Sequence, residues 1–296
     1  SGGGSPPIWK NTEGNAFMEK KRSFVSKLAQ LLMELWQNRK LIWKLSKNDF
    51  KKRYAGSYMG AVWGFAQPLV TVLMYYLVFD KIFGTKAIEL RSGVEVPFAL
   101  FITAGLVPWF FFSEAISQGT MSLIEYSYLV KKVVFKISIL PVIKVIAATF
   151  SHLFFLGLAI LLGCIYGYYP SVYLVQIIYY AMCLFLLVLG MSYTTCAVVI
   201  FFRDLSQIIS ICLQIGIWAT PILWSLDSIH NPVVVTILKL NPLVYIVNGY
   251  RESVYGHHWF FEDVSGTLYF WGVTVALFLM GAAIFKKLKV HFADVI

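Results

Sequence analysis

The apolar residues of this chain come in long uncharged runs separated by short polar pieces. The longest run, residues 145–202, holds no Asp, Glu, Lys or Arg. As one helix it would reach about 87 Å at 1.5 Å per residue, nearly three times the ~30 Å hydrocarbon core of a bilayer. It therefore reads as two spans. The break falls at Gly167-Tyr168-Tyr169-Pro170-Ser171, a turn sequence carrying tyrosines that favour the membrane interface. Runs at 61–83 and 98–117 precede it, and runs at 205–226 and 267–285 follow, each of spanning length. Between the last two lie short apolar pieces at 233–238 and 243–250, each introduced by an Asn-Pro step. Neither piece spans alone, and proline breaks any helix joining them, so they read as re-entrant helices packed against protein or water. The pattern predicts an all-α membrane protein with six transmembrane helices and short re-entrant helices between spans 5 and 6.

Ahead of the first span the period changes. Phe24, Leu28, Leu31, Leu35 and Ile42 recur at helical spacing, with Val25, Leu32, Trp36 and Trp43 widening the stripe. Residues 24–45 thus read as an amphipathic helix in the membrane interface, or else one packed on other protein. Residues 1–17, which open Ser-Gly-Gly-Gly-Ser-Pro-Pro, read as an expression scar or disordered leader before Met18. Residues 18–60 form a cytoplasmic amphipathic and linker segment, and 61–296 the transmembrane domain with a cytoplasmic tail.

Composition agrees with the spans: 58% of residues are hydrophobic, only 14% are charged, and the mean hydropathy is +0.70. The net charge of +10 is compatible with nucleic acid or with anionic lipid. Its placement favours the membrane. Of 25 Lys and Arg, only Lys81, Lys86, Arg91, Lys239 and Arg251 fall in segments that the count puts outside. This positive-inside bias places both termini in the cytoplasm. Cys164, Cys183, Cys196 and Cys212 sit inside apolar runs without metal or redox spacing, as small buried hydrophobes do.

Little in the chain suggests chemistry. Gly-Lys never occurs, so there is no phosphate-binding P-loop, and no His-Glu-x-x-His zinc motif is present. His152 stands alone in a span. His257-His258, followed by Glu262 and Asp263, suits a structural role at the surface better than a metal site. Lys51, Lys52 and Arg53 at the cytoplasmic edge either anchor the helix to anionic lipid or receive a phosphate-bearing substrate. The stretch 122–136 between spans 2 and 3 is either a docking surface for a cytoplasmic partner or a connector. Gln67, Glu114, Gln118, Gln207 and Gln214 are costly in lipid, so Glu114 should face protein or water. Aromatic residues make up 17% of the chain. They serve as interface belts or lipid-facing filler, and they also suit stacking on sugar rings.

Several ordered segments carry a resemblance. They are Tyr58-Met59-Gly60-Ala61-Val62-Trp63-Gly64-Phe65-Ala66-Gln67-Pro68-Leu69, Ala104-Gly105-Leu106-Val107-Pro108-Trp109 through Glu114, and Leu129-Val130-Lys131-Lys132 with Ile139-Leu140-Pro141. Phe202-Arg203-Asp204-Leu205, Thr220-Pro221-Ile222-Leu223-Trp224 and Asn241-Pro242-Leu243-Val244-Tyr245 through Arg251 follow. Together they resemble the permease subunits of type-2 ATP-binding-cassette exporters of cell-surface polysaccharide: wall teichoic acid, O-antigen and capsule. Asn38-Arg39 and the tyrosine-rich entry 54–58 are most similar to the teichoic acid branch. Phe135-Lys136 departs from the Phe-Pro of many relatives.

The resemblance implies a non-enzymatic half-transporter in the bacterial cytoplasmic membrane. Two copies would pair with two ATPase subunits, which bind ATP and Mg, leaving this chain without cofactor or metal. The cargo would be a polymer on a polyprenyl diphosphate lipid, moved from the cytoplasm to the outer face; a permease for drugs or small lipids is the alternative. By the same resemblance, residues 24–45 would be the connecting helix. Spans 1 and 5 would line the channel, with Tyr75, Phe79, Trp218 and Trp224 touching sugar. Lys51, Lys52 and Arg53 would hold the lipid diphosphate. Residues 122–135 would be the coupling helix, with Glu125, Tyr128, Lys131 and Lys132 facing the ATPase.

Overall fold

The computed structural model describes residues 33–53, 58, 60, 62–85, 87–89, 95–130 and 136–295. The chain divides into two compact units, Ser1–Lys44 and Leu45–Ile296. In the first, residues 33–37 are helical. Arg39 lies over the Trp36 ring at 5.0 Å and donates to the Trp36 carbonyl at 3.0 Å. The part of the amphipathic helix before residue 33 lies outside the described residues, as does the stretch 1–17. A turn at Asn38 interrupts the predicted helix, and α1 (Arg39–Arg53) then runs past the expected end at Leu45. Its last turn carries Lys51, Lys52 and Arg53, where cations favour the negative end of the helix dipole.

In the main unit, α2 (Val62–Tyr76) continues without a break as a π-helical segment, Leu77–Ile82. It stops at Gly84, whose φ of 70° is the left-handed conformation that costs glycine least. A two-stranded hairpin that the sequence reading did not anticipate follows. β1 (Ala87–Glu89) pairs antiparallel with β2 (Glu95–Pro97), setting Ile88 opposite Val96. Then α3 (Phe98–Glu125) runs well past the predicted end at 117, because Gln118–Ile124 bring polarity and a single glycine but no proline. It is the central helix: Leu100, Phe101, Leu106, Ala115 and Leu123 are fully buried.

The break at Gly167 forms as read. Helix α4 (Leu140–Ile165) carries Pro141 in its first turn, where no amide partner is lost. It ends in a Schellman cap: the Tyr168 amide donates to Gly163 O at 2.8 Å and the Gly167 amide to Cys164 O at 3.1 Å, with Gly167 at φ 88°. Helix α5 (Gln176–Val199) returns and packs along α9 (Val264–Leu288). There two glycines meet. A Cβ on Gly281 would lie 2.5 Å from Gly190 O, and one on Gly190 would lie 3.0 Å from the Phe278 backbone. Such small residues allow the close backbone approach on which helix packing in lipid depends.

The predicted fifth span forms differently. Helix α6 (Leu205–Ala219) stops seven residues short of 226. Thr220 is extended (φ −95°, ψ 136°) because Pro221 follows and disfavours helical geometry before it. At about 22 Å, α6 is shorter than the hydrocarbon core. Five helices among the described residues are long and apolar enough to cross a membrane. The two short pieces form helices α7 (Pro232–Lys239) and α8 (Pro242–Val254), bent by 93° at the break between them. Each starts the same way: the Asn231 and Asn241 side chains accept from the amides two residues on, at 3.0 Å, and proline follows.

Candidate functional site

Two helices stand apart from this packed centre. No residue of α2 or α6 is buried. On α6, Gln207, Ser210, Gln214 and Trp218 recur at helical spacing and are all exposed. Such a polar-aromatic stripe on an otherwise apolar helix suits contact with a hydrated, ring-bearing molecule better than with lipid.

The four aromatic candidates fall into two pairs. Tyr75 stacks loosely on Phe79, with ring centroids 6.3 Å apart, and Phe79 packs in turn on Phe83 and Phe98. Phe79 is thus half-buried within its own chain. Trp218 is 60% exposed at the end of α6. Trp224 donates its indole N–H to the Trp218 carbonyl at 3.1 Å, which satisfies one of the orphan acceptors where α6 stops.

Below them lies a network of charges that sequence reasoning found only in part. Arg53, at the end of α1, forms an ion pair with Glu114 of α3 and lies 3.9 Å from Asp49. Glu114 therefore faces protein, and the Arg53 guanidinium is engaged by carboxylates, while Lys51 and Lys52 are exposed. Lys144 of α4, 3% exposed, donates to Asp49 Oδ1 at 2.7 Å and pairs with Glu125. The Tyr126 hydroxyl donates to the same Asp49 oxygen at 2.7 Å. The network ties α1, α3 and α4 together and includes Glu125 and Tyr126 of the predicted coupling segment. Asp49 and Lys144 were missed because each looked like one more charge at the membrane edge. The available signal was Lys144 standing alone between Pro141 and the long uncharged run. Tyr128 is exposed beside Tyr126, with centroids 6.1 Å apart. Lys131 and Lys132 lie outside the described residues.

A second anchor sits beside helices α7 and α8. Arg251, placed outside by the charge count, is buried. Its guanidinium donates to Pro221 O at 2.7 Å and Ile222 O at 2.8 Å, and lies 3.6 Å from the Phe101 ring centroid. It clamps the chain leaving α6 to α8 and α3. His152 is buried and shares a hydrogen bond of 2.8 Å with the Tyr250 hydroxyl. His258 pairs with Glu262 at 2.8 Å, and that carboxylate holds the imidazole pKa above its ordinary value. No group of three His, Cys, Asp or Glu side chains converges for a metal among the described residues.

A family model described as "ABC-2 type transporter" matches residues 40–255, from α1 through α8. The chain is 29% identical over 269 residues to an O-antigen export system permease protein RfbA of Myxococcus xanthus, covering 90% of this chain and 99% of that protein. It is similar to two proteins of the same description from Klebsiella pneumoniae, at 28% identity over 256 residues and 30% over 254. Each of these alignments covers 85% of this chain and 93% of the relative.

Proposed function

Because this chain belongs to the ABC-2 type transporter family, we propose that it is the membrane subunit of an ATP-driven exporter of cell-surface polysaccharide. The likeness to O-antigen export permeases along nearly their whole length carries this reading. The unburied faces of α2 and α6 support it. None of the 21 residues over Val62–Ile82 is fully buried within its own chain, as expected of a helix bordering a second copy and a transport path. In this reading two copies and two ATPase subunits assemble in the bacterial cytoplasmic membrane, with both termini inside. The cargo is a glycan carried on a polyprenyl diphosphate and moved outward. The relatives' names favour an O-antigen-like glycan over teichoic acid.

Trp218, with the polar stripe of α6, and Tyr75 on α2 offer ring faces to sugars, with Phe79 and Trp224 behind them. Lys51 and Lys52 present free ammonium groups to a diphosphate, where charge-assisted hydrogen bonds are strong. Arg53 orders that edge through Glu114. Glu125, Tyr128, Lys131 and Lys132 meet the ATPase.

The test is co-purification with the ATPase subunit, followed by ATP hydrolysis and polymer export measured in cells. A stable complex with export supports the reading, and a chain that never recruits an ATPase sinks it. Within that assay, Trp218→Ala is expected to cut export about tenfold, on the scale of one stacking contact of ~1–1.5 kcal/mol, with the complex intact. Wild-type export would remove Trp218 from the path. Reversing both charges at Lys131 and Lys132 is expected to reduce the amount of co-purified ATPase severalfold; an undiminished yield would assign docking elsewhere.

A further inference from the structure

Two adjoining cavities, of about 330 and 380 Å³, open between α8 and the loop that leads to α9. Each falls within the ~300–1,000 Å³ of small-ligand sites. They share Asn248, Glu252 and His258, so one cleft runs on either side of these three side chains. No residue of the proposed path on α2 or α6 lines it.

The chemistry of the cleft is selective. Asn248 lines both cavities, is half-exposed, and its side-chain amide makes no hydrogen bond among the described residues. Glu252 uses one oxygen to accept the His258 amide at 3.3 Å. Trp259 supplies an aromatic wall, braced by Tyr173 at 5.0 Å and stacked with Phe261 at 5.8 Å, with ring planes 10° apart. An amide and a carboxylate beside a ring face match the vicinal hydroxyls and apolar face of a pyranose.

The charges decide against other ligands. Asp227, Glu252, Glu262 and Asp263 stand against Lys239, Arg251 and the His258 side chain, so neither sign dominates. A phosphate-rich polymer would meet four carboxylates. A metal ion lacks a convergent set of three ligands among the described residues.

We infer that this cleft is a second saccharide-binding site, outside the proposed path, that holds an uncharged sugar unit of the exported polymer through Asn248 and Glu252 against Trp259. The inference rests on the exporter reading. It adds that the cargo carries neutral sugar rings, and that helix α8 contacts the chain directly.

The experiment places a benzoylphenylalanine photo-crosslinker at His257, on the cleft wall, and separately at Trp218, in the intact exporter in cells. Adducts are detected by periodate staining, which reports vicinal diols. Glycan adducts at both positions are expected. Asn248→Leu should lower the yield at 257 about tenfold, the loss for one well-made hydrogen-bonded contact, and leave the yield at 218 unchanged. An adduct at 218 alone overturns the cleft and leaves the exporter reading standing. Adducts at neither position overturn both. A yield at 257 that Asn248→Leu does not lower means the polymer passes without being held, which also overturns the inference.

Discussion

Arg251→Leu will unfold the purified protein at a markedly lower temperature than the wild type. The guanidinium serves two carbonyls at the point where α6 ends, and both are buried at Pro221 and Ile222. Each buried acceptor left without a donor costs about 1–3 kcal/mol, so the loss is on the order of 2–6 kcal/mol. Removing a buried cation returns part of this. The return is partial because Pro221 has no amide to reorganise around and the extended Thr220 fixes the carbonyl direction. Arg251→Lys is expected to recover little, since a single ammonium lacks the planar fork that reaches two acceptors at once. Thermal unfolding in detergent, followed by size exclusion, is the check. An unshifted midpoint for Arg251→Leu would mean the clamp contributes nothing.

Lys144→Met is the second large effect. It takes from Asp49, whose side chain is 8% exposed, its closest cation, leaving the Tyr126 hydroxyl on one oxygen and the Arg53 guanidinium 3.9 Å from the other. Breaking one partner of a buried pair costs about 3–5 kcal/mol. Most of that belongs to Asp49, because Glu125 is 45% exposed and water can take over its charge. The double variant Lys144→Met with Asp49→Asn should regain much of the stability, because the uncompensated charge is gone. A double-mutant cycle on thermal midpoints measures this coupling; additive losses would refute the pairing.

These two clusters also mark where sequence reading runs out. The turn at Gly167 and the helices after Asn231 and Asn241 were legible, because caps, prolines and left-handed glycines act within a few residues. Lys144 meets Asp49 across 95 positions, and Arg251 meets Phe101 across 150. A charge count sees such residues only as topology markers. Glu114 was legible as a residue needing company, but its partner Arg53 was not, since polarity in a span announces a demand without naming who meets it. The end of α6 was written locally in Thr220-Pro221, yet the uncharged run through 226 masked it. Hydropathy measures affinity for lipid and is blind to where backbone hydrogen bonds stop. The aromatic pairs were read as residue types; that Trp218 is the exposed one, while Tyr75, Phe79 and Trp224 are half-buried, needed coordinates.

The glycine contact between α5 and α9 has a mechanical meaning. Backbones that touch at Gly190 and Gly281 leave no slack for sliding, and α3 is enclosed by α4 and α5 on its flanks. That assembly is a stator. Helices α2 and α6 hold no buried residue, so displacing either would uncover little of the chain's own core. One polypeptide thus joins a closely packed frame to two helices that carry none of its core.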